Sequence, residues 1–311
     1  MIDIGLIAAR FLHYFFVTTL AGVSMFPLYA YAAAEPIGLR RWRQRILLAA
    51  AIGALLSGLL WFVCSVANMS GSLAGVIDPE VIWTVMHDTG FGNVWIARLI
   101  LSVITVGLIW NRFDIKFDSR RDLTTPVFAA VLLASLAGVG HTQIDEGFAG
   151  LIHVVSDAAH LLAAGAWLGG LLPLGYILLL HRRETGLAQQ SELNKILLRF
   201  SGMGYVAVTM LMGSGLINGC FLIGNVYGLF ATPYGQLLVV KLVLFAGMLA
   251  LAVSNRFWLV PVLTAGEEGG RSGSTAWSGK LRNHVLSEQF LGLTVLLVVS
   301  VLGTMRPAIG Q

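Results

Sequence analysis

Charge is what this sequence has least of. Asp, Glu, Lys and Arg make up 12% of its 311 residues against 57% hydrophobic ones, and the mean hydropathy is +0.80. That balance leaves too little polar surface to clothe a water-facing domain of this size, so the composition is that of an integral membrane protein. Cysteine is almost missing. Cys64 and Cys220 cannot build a disulfide framework, and because both lie in apolar runs they say little about compartment. There is no CxxC, no Met-rich loop and no His-rich tract, so spacing alone yields no strong metal signature. Nor is there a Ser/His/Asp spacing, a phosphate-cradling glycine loop or a pair of catalytic carboxylates. The opening Met1-Ile2-Asp3 lacks a basic n-region and its apolar run outlasts a signal peptide's, so it is expected to be a retained helix.

What is present is a set of apolar runs, at about 3–34, 45–68, 93–111, 123–142, 150–180, 196–222, 235–257 and 284–305. Each can cross roughly 30 Å of hydrocarbon as a helix of about 20 residues, some with length to spare for tilt. The positive charge sits between them. All Lys and Arg except Arg10, Arg98, Lys241 and Arg306 fall in alternate connections: Arg40 to Arg45, Arg112 to Arg121, Arg182 to Arg199 and Arg256 to Arg282. The intervening connections hold Asp78, Glu80, Asp88, Asp145 and Glu146 instead. Lys/Arg-rich loops stay on the cytoplasmic side, which predicts an all-α polytopic protein of eight transmembrane helices with both termini outside. The net charge of +4 is this loop bias, not a nucleic-acid surface. The whole of 1–311 reads as one transmembrane domain, with 69–92 the outer loop long enough to hold structure and 264–280 a flexible inner one.

The halves 1–142 and 150–311 echo one another. Phe91-Gly92 is followed by Arg98-Leu99, and Tyr234-Gly235 at the same distance by Lys241-Leu242; Ser57-Gly58-Leu59 precedes Cys64, and Ser214-Gly215-Leu216 precedes Cys220. His13 leads to Gly22 and Pro27 as His160 leads to Gly169 and Pro173. Four spans return the chain to its starting side, so such halves would be parallel repeats about an axis along the membrane normal.

Ionisable groups at membrane depth are functional candidates by default. His13 and His160 each lie ten residues from the outer start of their spans, about 15 Å deep at 1.5 Å per residue. His153 shares a helix face with His160, and Asp157 between them can fix an imidazole tautomer. With His141 at the outer end of the fourth span, these form an expected column of imidazoles: His141, His153, His160, His13. Met86 and His87 are possible outer contacts. Cys64, Met69, Cys220 and Met305 gather on the same side, and thioether and thiolate prefer Cu(I), although Cys and Met also serve as apolar filler. Arg10 or Arg98 is the expected partner of Asp157. His181, His284 and a solitary Glu288 fall near cytoplasmic ends.

The stretch His160-Leu-Leu-Ala-Ala-Gly-Ala-Trp-Leu-Gly-Gly-Leu-Leu-Pro173 resembles the copper resistance protein D (CopD) family of bacterial inner-membrane proteins. So do Arg10-Phe-Leu-His13, Phe91-Gly92 through Arg98, Gly140-His141, Arg199-Phe-Ser201, Tyr234-Gly235 through Lys241, Asn255-Arg256 and Glu288. The resemblance implies copper ions taken inward from a periplasmic carrier of the CopC type, expected to be a separate protein because this sequence ends at Gln311 without one. Two alternatives stay open: b-type haem held by two imidazoles on facing helices, and a copper-chaperone docking protein.

Overall fold

The computed structural model describes residues 2–31, 35–112, 123–140, 147–181, 187–261 and 274–310. The chain is all-α. Its long helices are α1 (Ile2–Ala30), α2 (Ile37–Ser70), α4 (Gly90–Asn111), α8 (Leu187–Ile223), α10 (Pro233–Ser254) and α11 (Ser274–Leu302). Between them stand α3 (Pro79–His87), α5 (Thr124–Ala134), α6 (Gly147–Ala164), α7 (Gly170–His181) and α9 (Val226–Ala231). A π-turn, Gly165–Gly169, joins α6 to α7, and a second, Asn255–Leu259, prolongs α10.

Seven of the helical segments are long and apolar enough to cross a membrane. The fourth expected span is shorter: α5 tightens into a 3₁₀ turn at Ser135–Val139, and the two pieces reach about 26 Å, just under the hydrocarbon thickness. The outer surface agrees with a lipid environment, since Leu216, Val243, Phe290 and many other large apolar side chains point outward.

The loop expected to hold structure does so. Ser72, Asp78 and Thr89 cap a 3₁₀ turn, α3 and α4 in succession, each side chain accepting a backbone N–H of the turn it starts. The later connection holds α9, which periodicity did not reveal because it is only six residues long. It has the same joint. Thr89 donates to Val85 O and accepts from Gly92 N, and Thr232 donates to Gly228 O and accepts from Gly235 N. In both, a Cβ on the glycine would overlap the carbonyls of the preceding short helix. Trp83, Tyr227 and Phe230 are exposed on these short helices, where aromatic rings suit a membrane boundary.

The two halves meet where α1 crosses the π-turn. A Cβ on Gly22 would strike Gly165 O and Gly169 Cα, and one on Gly169 would strike Thr18 O, so the backbones touch as small residues permit. Each of these glycines stands nine residues after its histidine, Gly22 after His13 and Gly169 after His160. At the opposite end Trp42 stacks flat on Tyr176 at 4.1 Å. Within the first half α2 packs along both α1 and α4; in the second α8 packs along α6, but α8 and α10 share at most isolated contacts and splay apart.

Candidate functional site

His13 sits on α1 and is 2% exposed. Its Nε2 is 2.7 Å from Arg98 Nη2 and its Nδ1 3.1 Å from Ser57 Oγ. A guanidinium can only donate, so Nε2 accepts; the remaining proton is on Nδ1 and goes to Ser57, whose hydroxyl donates to Ala54 O at 3.2 Å. Arg98 also donates to Leu132 O at 2.7 Å and to Ser135 Oγ, where the change from α to 3₁₀ leaves helix carbonyls short of partners. Trp61 and Trp95 wall the ring at 5.5 and 5.6 Å. Arg10 lies over Trp61 at 4.6 Å and donates to Tyr14 OH. Both ring nitrogens of His13 are therefore occupied inside an aromatic plug.

The second half repeats the frame with different contents. His160 Nδ1 lies 3.0 Å from Ser214 Oγ, which donates to Met210 O at 2.6 Å. The same logic puts the proton on Nδ1. Gly58 and Gly215, each following its serine, face the Cε1 of the adjacent imidazole. Lys241, at the place of Arg98, acts electrostatically on both His160 and Asp157. Here the likeness ends. Counted from the histidines, Asp157 stands where Arg10 does; counted from the serines, Asn218 stands where Trp61 does; counted from the cations, Leu238 stands where Trp95 does. A cation and two indoles are replaced by a carboxylate, an amide and an aliphatic side chain, and no hydrogen bond from the described residues reaches Nε2 of His160.

Asp157 accepts from Asn218 Nδ2 at 3.1 Å. Its cation is Lys241, not the expected Arg10 or Arg98, because those two are held among Tyr14, Trp61, His13 and Leu132 in the other half. Asn218 Oδ1 is buried without a hydrogen-bond partner. His153, one face up from His160, is 2% exposed and lies flat against Phe221 at 4.5 Å.

The expected column is thus divided. His153, Asp157 and His160 share one face of α6, whereas His13 belongs to the plug, and no hydrogen bond or ring contact joins it to His160. The bis-imidazole haem alternative gains nothing here, since neither nitrogen of His13 is open. His141 lies outside the described residues. His87 is exposed on α3 with its ring 4.0 Å from that of Trp83, and Met86 beside it is half-buried. Cys64 is half-buried and Cys220 exposed. Among the described residues no group of three or more His, Cys, Asp or Glu stands close enough to hold a metal ion.

Sequence reasoning missed three parts of this arrangement. The serines were visible in the repeated Ser-Gly-Leu, but the pattern was read for its glycines. Asn218 could have been found by counting four residues on from Ser214. Glu288, solitary in the sequence, has partners in the fold: Asn255 donates to Glu288 Oε1 at 2.6 Å and accepts from His284 Nδ1 at 2.8 Å.

Comparison with known proteins gives the frame a family. Residues 1–151 match the model for the copper resistance protein D-like N-terminal domain, and residues 194–302 that for copper resistance protein D. The chain is 32% identical to inner membrane protein YebZ of Escherichia coli (strain K12) over 307 residues, 97% of this chain and 98% of that one. It is 31% identical to copper resistance protein D of Pseudomonas syringae pv. tomato, across 97% and 96% of the two chains. With copper transport protein CutJ of Bacillus subtilis (strain 168) it shares 30% identity over 79% of this chain and 45% of that one. No solved structure matches.

Proposed function

We propose that this chain, which belongs to the copper resistance protein D family, carries copper ions across the bacterial inner membrane by way of its second half. The observation that carries this reading is a His160 bonded through Nδ1 alone among the described residues, three residues from an Asp157 that Asn218 holds, set against a His13 whose two nitrogens are both taken. Imidazole nitrogen suits copper in either oxidation state, and the carboxylate offsets the charge of the arriving ion. Ligands met one or two at a time suit conduction better than a closed cage.

The two halves are parallel repeats in this reading. A two-fold axis along the membrane normal brings equivalent residues together, which is the relation between Gly22 and Gly169. The end bearing α3 and α9 faces the periplasm, all four basic loops face the cytoplasm, and the shorter α5 segment is the eighth crossing. Copper from a CopC-type carrier reaches His153 and then His160, with Met86, His87 and His141 as possible entry contacts. Inward from His160 the thioethers of Met203, Met210, Met212 and Met248 are the soft ligands left for Cu(I).

Copper uptake into proteoliposomes tests this. His160→Ala and Asp157→Asn are expected to abolish uptake with the protein still folded, whereas His181→Ala leaves it unchanged. Uptake that survives both substitutions would refute the route. Metal analysis and a visible spectrum of the purified protein should show copper retention dependent on His160 and no Soret band.

A further inference from the structure

Glu288 lies on α11 fifteen residues before Gly303, which packs against Arg10. At 1.5 Å per residue this is about 22 Å from the level of Arg10, toward the end of the bundle away from α3 and α9. It is 2% exposed. Its oxygens receive the amide of Asn255 and the indole N–H of Trp167, both neutral donors. The two donors come from the two π-turns, Asn255–Leu259 and Gly165–Gly169. A π-turn inserts one residue into a helix and re-aims the side chains around it, frequently at functional sites; here both turns aim polar hydrogen at one carboxyl group.

Beside that group is a cavity of about 160 Å³, opening where α8 and α10 splay apart; its walls are mainly apolar, and Ser201, Tyr205, Thr209, Asn255 and Arg256 are their polar members. That volume is several times what one water needs. The charged and titratable groups on the surrounding helices are few. Arg256, on the continuation of α10, donates to Tyr205 of α8 at 3.4 Å. Tyr29 of α1 donates to Ala166 O. His284, one turn before Glu288 on α11, reaches it only through Asn255. The α7 side presents the indole of Trp167. No ion pair among the described residues engages Glu288.

We infer that the cavity and its carboxyl group form a proton-exchange site, through which Glu288 takes up and releases a proton in step with transport. A carboxylate at this depth, met only by neutral donors, holds its charge at a high cost, and a proton removes that cost. The balance is simple: one proton leaves the carboxyl oxygen for water in the cavity, the carboxylate stays behind with its two N–H donors, and the step reverses when the proton returns. His284, whose Nδ1–H is committed to Asn255, keeps Nε2 free to accept on the side away from Arg10. The site rests on the transport reading for its purpose, but its chemistry is independent of the cargo.

Two measurements test it and separate it from that reading. Infrared difference spectra of the purified protein, taken across the physiological pH range, should show a carboxyl C=O band that Glu288→Gln loses, Glu288→Asp keeps at a shifted frequency and Asp157→Asn leaves alone. In proteoliposomes, copper uptake by the wild type should change several-fold with an imposed pH gradient, and Glu288→Gln should be flat while retaining as much copper as the wild type. A Glu288 band that does not respond to pH, or a Glu288→Gln protein whose uptake still follows the gradient, overturns the proposal. If the band titrates but no variant or wild type moves copper, the proton site stands and the cargo assignment falls.

Discussion

Replacing the two corresponding histidines by alanine should have opposite consequences, and the contacts around each set the size of the difference. His13→Ala removes two buried side-chain hydrogen bonds, to Ser57 and to Arg98, each worth about 0.6 to 1.7 kcal/mol inside a membrane protein. It also leaves a guanidinium N–H with no acceptor at about 1–3 kcal/mol, and withdraws a ring from between Trp61 and Trp95, worth about 1 kcal/mol. The sum is a loss of about 3–7 kcal/mol of stability, with part of the aromatic plug collapsing. His160→Ala removes one hydrogen bond from a half-buried ring, and Ser214 keeps its bond to Met210 O, so the loss is about 1 kcal/mol. Equilibrium unfolding in mixed micelles, followed by tryptophan emission, measures both. The same preparations should bind copper in the order His13→Ala above His160→Ala. Equal destabilisation of the two, or loss of copper from His13→Ala alone, would show that the division between plug and pathway is false.

Gly169→Leu drives a side chain into Thr18 O and Gly22 and should prevent stable assembly of the halves, read as a failure to elute as a monodisperse species; Gly107→Leu, where no atom lies within reach, is the control. Asp157→Asn leaves Lys241 without its carboxylate, so Lys241→Met should recover part of the stability that Asp157→Asn costs, a coupling measured by the double-mutant cycle. In a Cys-free background, a cysteine at Ser72 should react with an impermeant maleimide from the periplasm and one at Ser191 only from the cytoplasm; the reverse pattern refutes the orientation.

The spans were legible because the bilayer demands one thing of a helix, about 20 apolar residues, and the sequence supplies it with most of its charges between runs. The predicted 235–257 and the observed Pro233–Leu259 differ by two residues at either end. The exception, 123–142, leaves the α-helix after Ala134 for a 3₁₀ turn that presents Leu132 O and Ser135 to Arg98, a tertiary demand that no local pattern carries. The histidines were legible as buried polar groups, but their roles were not. Equal depth suggested a shared ligand, whereas the occupants of each frame, Trp61 against Asn218 and Arg10 against Asp157, separate the two. The Glu288 network was hidden because its members are 121 residues apart at the extremes, Trp167 and Glu288, and because π-turns leave no mark on hydrophobic periodicity.

The bare backbone crossing of Gly22 on Gly169 has a mechanical consequence. Interdigitated side chains lock two helices in register, so one cannot turn on the other without unpacking a core. Two glycine surfaces in contact fix the distance between helices while offering no teeth to resist a change of angle. The crossing is therefore a pivot, while Phe26 and Tyr29 against Phe200, and Trp42 against Tyr176, supply the teeth elsewhere in the interface. A tilt of one half by a few degrees about that point would displace side chains at both membrane faces by ångströms and leave the contact itself unchanged. The polar frame of the second half sits on one arm of that lever and Glu288 on the other.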